Sequence, residues 1–308
     1  MNDNKLIFLF SLPRSGSTLM QRLLQAHPKV DTIPESWFLL NLLHPVSRNK
    51  AYTEYSYPVL KKAIHHLYES LPKGKKTYFE ATKAFALKIY EELPGEGNFL
   101  LEKTPRYHLI ANELVETFPE AKFIFLWRNP LAIGSSILKT WGNNQWNLHS
   151  YKVDLYDGLD NLIDLFKKKQ SNFYGLNYEH LLVQPEEEMQ NLSQFLGIEY
   201  DNEMIEKGLK KVFHQMGDQT GVVNYNELST APLEKWKSEV HNPLRKNWFR
   251  KYLHRIGEAN LKLIGYDYDL LMNELNAIPF SMKNMGSDAV SFAKGNMKNK
   301  LQDRIYGT

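Results

Sequence analysis

The stretch that decides the fold is residues 6–18, which read LIFLFSLPRSGST. Its first five residues form an unbroken apolar run of strand length, which is typical of a strand buried on both faces of a parallel sheet. The next residues include a proline, an arginine and a glycine, and a helix is predicted from Thr18 to Ala26. A strand, a turn and a helix in this order make the first half of a βαβ unit.

The same order of elements returns further along the chain. Residues 98–101 are strand-like and lead into Lys103, and residues 122–127 are the clearest buried strand and lead into Arg128. A weaker strand is predicted over 172–178. Alternating strands and helices indicate an α/β fold with a mostly parallel central sheet. Further helices are predicted over 58–70, 77–92, 105–117, 157–170, 185–196 and 243–263.

The composition excludes several classes of protein. The 38 basic and 35 acidic residues leave a net charge of +3, which is too close to neutral for a dedicated nucleic-acid binder. The chain has no cysteine for disulfides, thiolate nucleophiles or cysteine-ligated zinc. No apolar run approaches the roughly 18–20 residues that span a bilayer, and the first one is too short for a signal peptide. We therefore expect a cytoplasmic protein without a transmembrane segment.

The excess of positive charge lies at one end of the chain. From residue 277 onward five cations stand against two aspartates, whereas residues 1–276 carry 33 charges of each sign. We therefore expect one folded domain over residues 1–275, followed by a basic C-terminal extension over residues 276–308 that is helical or flexible.

Cations follow three of the predicted strands. Arg14, Lys103 and Arg128 each come within a few residues of a strand's end. Ligands of open parallel sheets bind beyond the carboxyl ends of the strands, so these cations should gather over one edge. Residues 16–18 open the first helix, where free backbone N–H groups and the helix dipole favour an anion. The pattern predicts a site for a ligand with several negative charges, such as phosphates.

This anion site differs from the P-loop of nucleoside triphosphatases. That loop reads G-x-x-x-x-G-K-[ST], whereas residues 11–18 lack the first glycine and place Ser17 where the lysine belongs. No predicted strand ends in an aspartate that could hold magnesium. The segment therefore favours a ligand that is held by the protein's own cations without a metal ion.

Two motifs in the chain resemble those of the sulfotransferase superfamily. Residues 13–19 resemble its 5′-phosphosulfate loop, and Arg128 with Ser136 eight residues later resembles its 3′-phosphate motif. The similarity runs from about residue 6 to 236 and is nearest to bacterial stand-alone sulfotransferases and the catalytic domain of tyrosylprotein sulfotransferases. It implies a P-loop-type three-layer fold and the co-substrate 3′-phosphoadenosine 5′-phosphosulfate (PAPS), with adenosine 3′,5′-bisphosphate (PAP) as product.

The resemblance also implies which residues bind the nucleotide. One group would cradle the 5′-phosphosulfate, a second would hold the 3′-phosphate, and Tyr178 would contact the nucleotide. The segment 220–229 and the residues just beyond it resemble the part of the family that folds over the nucleotide. The residues concerned are Arg14, Ser15, Gly16, Ser17, Thr18, Arg128, Ser136, Tyr178, Thr220 and Lys235.

The catalytic residues implied by the resemblance come from two other segments. Glu35 falls where the tyrosylprotein enzymes keep their catalytic base, and would take the proton of the acceptor hydroxyl. Lys103 falls where the family keeps a lysine near the bridging oxygen, and with Arg14 it would neutralise charge on the leaving phosphate. His108 is the second candidate base, because cytosolic relatives use a histidine just past the equivalent lysine. Its place in a predicted helix indicates a surface residue instead.

The acceptor stays open at this point. A small-molecule, carbohydrate or lipid hydroxyl fits the resemblance, whereas Trp37 replaces an arginine that helps the tyrosylprotein enzymes seat acidic peptides. Arg106 could touch the cofactor or the acceptor, or pair with Glu102. Two other functions are compatible with the sequence, a kinase-like phosphotransferase and a nucleotide-binding protein without catalysis, and so is a homodimer.

Overall fold

The computed structural model describes residues 1–210, apart from 52 and 54, and residues 228–306. Its described strands form one sheet of five, in the order β2-β3-β1-β4-β5, in which every neighbouring pair is parallel. The strands are β1 (Leu6–Ser11), β2 (Val30–Thr32), β3 (Phe99–Glu102), β4 (Lys122–Trp127) and β5 (Phe173–Asn177).

Helices connect successive strands and cover both faces of the sheet. Short 3-10 turns and one π-helical segment, Val153–Gly158, lie between them. The α-helices are α1 (Ser17–Gln25), α2 (Phe38–Leu43), α3 (Tyr57–Glu69), α4 (Lys75–Glu91), α5 (Ala111–Thr117), α6 (Pro130–Trp141), α7 (Leu159–Phe166), α8 (Tyr178–Val183), α9 (Pro185–Leu196), α10 (Met204–Lys210), α11 (Ala231–Glu234), α12 (Pro243–Ile256), α13 (Glu258–Leu263), α14 (Tyr268–Ala277) and α15 (Met285–Tyr306).

The central strands are buried on both faces, as the unbroken apolar runs predict. Phe8 and Phe123 stack on one face with ring centroids 5.5 Å apart, in the larger apolar cluster. Ile7 and Ile124 point to the other face and belong to a second cluster, which includes Leu19 of α1. One apolar layer lies on each face of the parallel sheet, between the sheet and its helices. This is a three-layer α/β fold, which confirms the predicted class.

Some elements differ from the predicted ones. The strand β2 was not predicted, because three residues are too few to carry a period-2 pattern. The helix predicted over 105–117 is a 3-10 turn, Pro105–Leu109, followed by α5. The helix predicted over 243–263 breaks at Gly257, whose φ of +81° ends α12 and starts α13 at a new angle.

The C-terminal part is helical and is joined to the body of the fold. The helix α14 runs across residue 275, and the side chain of Asp288 on α15 is buried. Arg245 Nε donates to Asp288 Oδ2 at 2.6 Å, and the backbone N–H of Trp146 donates to Asp288 Oδ1 at 3.1 Å. A domain boundary at 275/276 stays a prediction. Along the described part of the chain, no helix is long and apolar enough to cross a bilayer.

Candidate functional site

The residues that follow the five strands stand in a row along the carboxyl edge of the sheet. In the order of the strands they are Glu35, Lys103, Arg14, Arg128 and Tyr178. Neighbouring strands lie about 4.8 Å apart, so the row spans roughly 19 Å. The chain passes from β3 to β4 across the central strand β1, and such a change of direction opens a ligand-binding crevice in doubly wound sheets.

The loop between β1 and α1 has a backbone that only glycine can adopt at one position. Gly16 has a φ of +90°, and a Cβ atom there would lie 2.4 Å from the ring of Tyr178. Arg14 also has a positive φ, +69°, which is uncommon for a residue with a side chain. The hydroxyl of Ser15 is buried and finds no hydrogen-bond partner among the described residues. An orphaned buried donor at the start of a helix is the kind of group that a bound anion would satisfy.

Four of the predicted nucleotide-binding residues meet at this loop. Arg128 Nη1 donates to the carbonyl oxygen of Arg14 at 2.6 Å, and its guanidinium lies 4.5 Å from the centre of the Tyr178 ring. Arg14 Nε donates to Ser136 Oγ at 3.3 Å. The buried Nε of Arg128 has no partner within the described ranges. The structure therefore brings Arg14, Arg128, Ser136 and Tyr178 into contact, and their role in nucleotide binding stays a prediction.

The remaining predicted nucleotide-binding residues lie in α1, in a later 3-10 turn and outside the described residues. Ser17 and Thr18 are buried in the first turn of α1. Lys235 is exposed and opens a 3-10 turn, Lys235–Glu239, that packs on α6. The contact includes a hydrogen bond from Ser135 Oγ to the carbonyl oxygen of Trp236, 3.2 Å long. Thr220 lies outside the described residues.

A carboxylate and a lysine form a close ion pair at the ends of β2 and β3. Lys103 is 1% exposed, and its Nζ lies 2.7 Å from Oε1 of Glu35, which is 12% exposed. The indole N–H of Trp37 donates to the other carboxylate oxygen at 3.2 Å. Both oxygens of Glu35 are therefore held, and the carboxylate has a fixed orientation beside the nucleotide loop.

A second carboxylate lies beneath this pair and holds its segment in place. Glu102 is fully buried and accepts hydrogen bonds from Ser36 Oγ at 2.9 Å, Tyr90 OH at 2.9 Å and Thr104 Oγ1 at 3.2 Å. Burial raises the pKa of Glu102, and the hydroxyl donors oppose the rise. Because Ser36 follows Glu35 directly, its bond to Glu102 fixes the position of Glu35. No pattern in the sequence indicates this role of Glu102.

His108 and Arg106 differ from their predicted settings. His108 is fully buried rather than on the surface, and its Nε2 lies 2.9 Å from Oδ1 of Asp154. Arg106 Nε contacts the same oxygen at 2.9 Å, so the arginine pairs with Asp154 and not with Glu102. Gly158 packs directly on the imidazole ring of His108. Asp154 belongs to the π-helical segment. The sequence pattern of that segment does not indicate that Asp154 pairs with His108, which lies 46 residues earlier in the chain.

The structure contains a large cleft with a volume of about 1220 Å³. Its lining includes Arg106, which follows Lys103 by three residues, and Leu40 of α2, which follows Glu35 by five. Ser150 and Lys152 also line it, and Tyr151 between them stacks on Trp141 with ring centroids 4.9 Å apart. Trp141 lies 5.9 Å from the guanidinium of Arg14, so these two aromatic residues connect the cleft with the nucleotide loop. Among the described residues, no three His, Asp or Glu side chains gather closely enough to hold a metal ion.

The chain is similar to known sulfotransferases. A model of the Sulfotransferase family matches residues 7–202. The nodulation protein NoeE of Sinorhizobium fredii is 36% identical over 138 residues, which cover 44% of this chain and 31% of that protein. The protein-tyrosine sulfotransferase A of Caenorhabditis elegans is 25% identical over 276 residues, which cover 85% of this chain and 67% of the relative.

A solved structure has a similar fold. The structure of mouse sulfotransferase SULT7A1 complexed with PAP aligns with a TM-score of 0.53 at 12% identity. The alignment covers 89% of this chain and 89% of the mouse chain. At this identity the likeness concerns the fold alone.

Proposed function

The chain belongs to the sulfotransferase family, and from this premise we propose that it transfers the sulfuryl group of PAPS to a hydroxyl acceptor and releases PAP. The observation that carries the proposal is the meeting of Arg14 and Arg128, with a hydrogen bond of 2.6 Å between them, next to the Glu35–Lys103 pair. Two guanidinium groups over one crevice suit a nucleotide with phosphate groups at both ends.

The residues at the site fit PAPS, the sulfuryl donor. The N–H groups at the start of α1 and the orphaned Ser15 hydroxyl suit the 5′-phosphosulfate end. Arg128, whose buried Nε has no partner within the described residues, and Ser136 suit the 3′-phosphate. The exposed Lys235 would close over the nucleotide, as the family resemblance implies, and Thr220 keeps that predicted role as well. When bound, PAPS supplies a sulfuryl group that is joined to a good leaving phosphate.

The chemical step requires in-line geometry, a base and neutralisation of charge. The carboxylate of Glu35 takes the proton of the acceptor hydroxyl while the acceptor oxygen bonds to sulfur and the bond from sulfur to the phosphate oxygen breaks. Lys103 and Arg14 donate hydrogen bonds to the oxygens of the leaving phosphate, where negative charge develops. His108 is disfavoured as the base, because it is fully buried against Asp154. A cytoplasmic location and a homodimer stay predictions.

Transfer of radiolabelled sulfate from PAPS into a pool of hydroxylated metabolites tests this proposal. We expect labelled product with the full chain, and a loss of about ten- to a hundredfold in Arg14→Ala, because a charge-assisted hydrogen bond contributes about 1.5–3 kcal/mol. Arg250→Ala is the matched control, since Arg250 belongs to neither nucleotide motif and its guanidinium donates to Oδ1 of the exposed Asn276 at 2.9 Å. Transfer of phosphate from ATP, in place of sulfate from PAPS, would support the kinase-like alternative.

A further inference from the structure

The large cleft is lined by an arginine that neither nucleotide motif uses. Arg106 lines the cleft, and its side chain is 30% exposed. Its Nε is bound to Asp154, whereas its two terminal amino groups have no hydrogen-bond partner in the part of the chain that the structure describes. A guanidinium with a free pair of amino groups can bind a carboxylate, sulfate or phosphate through two parallel hydrogen bonds.

Buried groups behind the arginine fix its orientation. Asp154 is fully buried, and one of its oxygens contacts both Arg106 Nε and His108 Nε2 at 2.9 Å. His108 is in turn wedged against Gly158, where a Cβ atom would lie 2.4 Å from the ring. Asp154 and Gly158 both belong to the π-helical segment, and such segments occur often at functional sites. The buried pair therefore acts as a support that presents Arg106 to the cleft.

The charges along the cleft favour an anion at the end occupied by Arg106. Lys152 is exposed at that end, next to Tyr151 and the nucleotide loop. The aspartates further along the same wall are already paired, Asp160 with Arg255 at 2.5 Å and Asp164 with Arg48 at 3.3 Å. Lys152 and Asp164 stand at the two ends of this wall. At a helical rise of 1.5 Å per residue they lie roughly 18 Å apart.

Two further groups complete the electrostatic setting of the cleft. Burial raises the pKa of Asp157, and the charge of Asp160 adds to the rise, so this carboxyl opposes an anion less than an ordinary aspartate would. Lys50 also lines the cleft and is exposed. Lys50 and Lys152 therefore make the balance of unpaired charge along the lining positive.

Arg106 is also close to the proposed reacting centre. It follows Lys103 by three residues, so their Cα atoms are at most about 11 Å apart. An acceptor whose hydroxyl reaches Glu35 would place a neighbouring group against Arg106.

We propose that Arg106 binds an anionic group, a carboxylate, sulfate or phosphate, on a hydrophilic acceptor, and that Asp154 is its positioning residue. The identification of the bound molecule as the acceptor rests on the proposed sulfotransferase function. The acceptor is a hydroxylated molecule that already carries a negative charge within one ring or a few bonds of the reacting hydroxyl. A long apolar chain is a poor occupant, because charged and polar side chains dominate the lining.

Calorimetric titration with two matched probes tests the anion site directly. The probes are p-nitrophenyl β-D-glucuronide and p-nitrophenyl β-D-glucoside, which differ only in a carboxylate against a hydroxymethyl group. Each is titrated into the full chain with and without saturating PAP. We expect the glucuronide to bind at least about tenfold more tightly, because charge-assisted hydrogen bonds are the strong ones.

Three variants show whether the preference depends on Arg106. In Arg106→Gln the two probes should bind with equal affinity. In Arg106→Lys part of the preference for the glucuronide should survive, because the positive charge stays but the two parallel hydrogen-bond donors of the guanidinium are lost. Arg48→Gln is the matched control: it removes an arginine of the same cleft that is bound to Asn161 and paired with Asp164, and it should keep most of the preference. The affinity for PAP should stay within about twofold of wild type in every variant. Thermal unfolding of each variant checks that it is folded.

The remaining outcomes are distinguishable. The proposal is overturned if the wild type binds neither probe, binds both equally, or if Arg106→Gln keeps the preference. It is also overturned if Arg106→Gln weakens PAP binding along with the glucuronide, because Arg106 would then belong to the donor site. If the wild type fails to bind PAP but still prefers the glucuronide through Arg106, the anion site stands and the proposed function fails.

Discussion

Glu35→Gln separates the proposed base from a merely structural carboxylate. The wild-type carboxylate accepts from Lys103 at 2.7 Å and from Trp37 at 3.2 Å. Glutamine has the same shape and keeps one oxygen, which can still accept from the ammonium group of Lys103, whereas its NH2 group cannot accept from Trp37. The lost neutral bond and the weaker bond to Lys103 together cost about 1–2 kcal/mol. We expect the unfolding midpoint to fall by about 2–8 °C.

The effect on the rate should be far larger than the effect on stability. A positioned general base contributes about 10²–10⁴-fold to a proton transfer, and glutamine cannot accept the proton. Glu35 follows β2 and Arg14 follows β1, and the strand β3 lies between them. Two strand spacings are about 10 Å, and Glu35 itself has no proposed contact with the nucleotide, so the variant should not weaken PAP binding by more than about twofold.

Single-turnover transfer from radiolabelled PAPS measures the chemical step, and calorimetry measures PAP affinity on the same preparations. Trp37→Phe is the matched control, because it removes the indole donor to Glu35 and leaves the carboxylate in place. We expect this control to lose no more than about one decade of rate, the worth of a single neutral hydrogen bond. A Glu35→Gln rate within a few-fold of wild type would refute the assignment of the base.

Three further predictions concern the supports of the site. Gly16→Ala should lower the free energy of unfolding by at least about 1–2 kcal/mol, because alanine is strained at this φ and its Cβ meets the Tyr178 ring; an unchanged urea midpoint would contradict this. Glu102→Gln should gain stability relative to wild type as the pH rises above 4.5, because burial raises the pKa of Glu102 and its ionisation then costs stability in the folded state; parallel stability curves across the pH range would contradict it. Asp288→Ala should cost about 3–5 kcal/mol in urea unfolding, because it leaves the buried Arg245 without its carboxylate; a loss below about 1 kcal/mol, typical of an exposed pair, would show that the contact is not buried in solution.

The sequence could predict the strands that carry the site and the edge at which their cations gather. The apolar runs of β1 and β4 are long enough to show burial on both faces, and parallel strands bring their carboxyl ends to one side. In the structure Arg14, Lys103 and Arg128 follow three neighbouring strands, β1, β3 and β4, at that edge. The pairing of Arg128 with the Arg14 carbonyl follows from that placement.

The supporting contacts could not be predicted, because they join residues that are distant in the chain. The bond from Ser36 to Glu102 spans 66 positions, and Asp154 meets Arg106 from a π-helical segment whose residues look like an ordinary helix. The periodicity of a helix reports which face is apolar, and it carries no information about which buried polar groups pair. His108 was for this reason predicted to lie on the surface.

The most direct test compares the affinities of the full chain for PAP and for adenosine 5′-phosphate, which lacks only the 3′-phosphate. If Arg14 and Arg128 hold the two ends of one nucleotide, PAP should bind at least about tenfold more tightly, from one or more charge-assisted hydrogen bonds, and Arg128→Ala should remove most of the difference. Equal affinity for the two nucleotides, or tighter binding of ATP with Mg²⁺ than of PAP, would contradict the account.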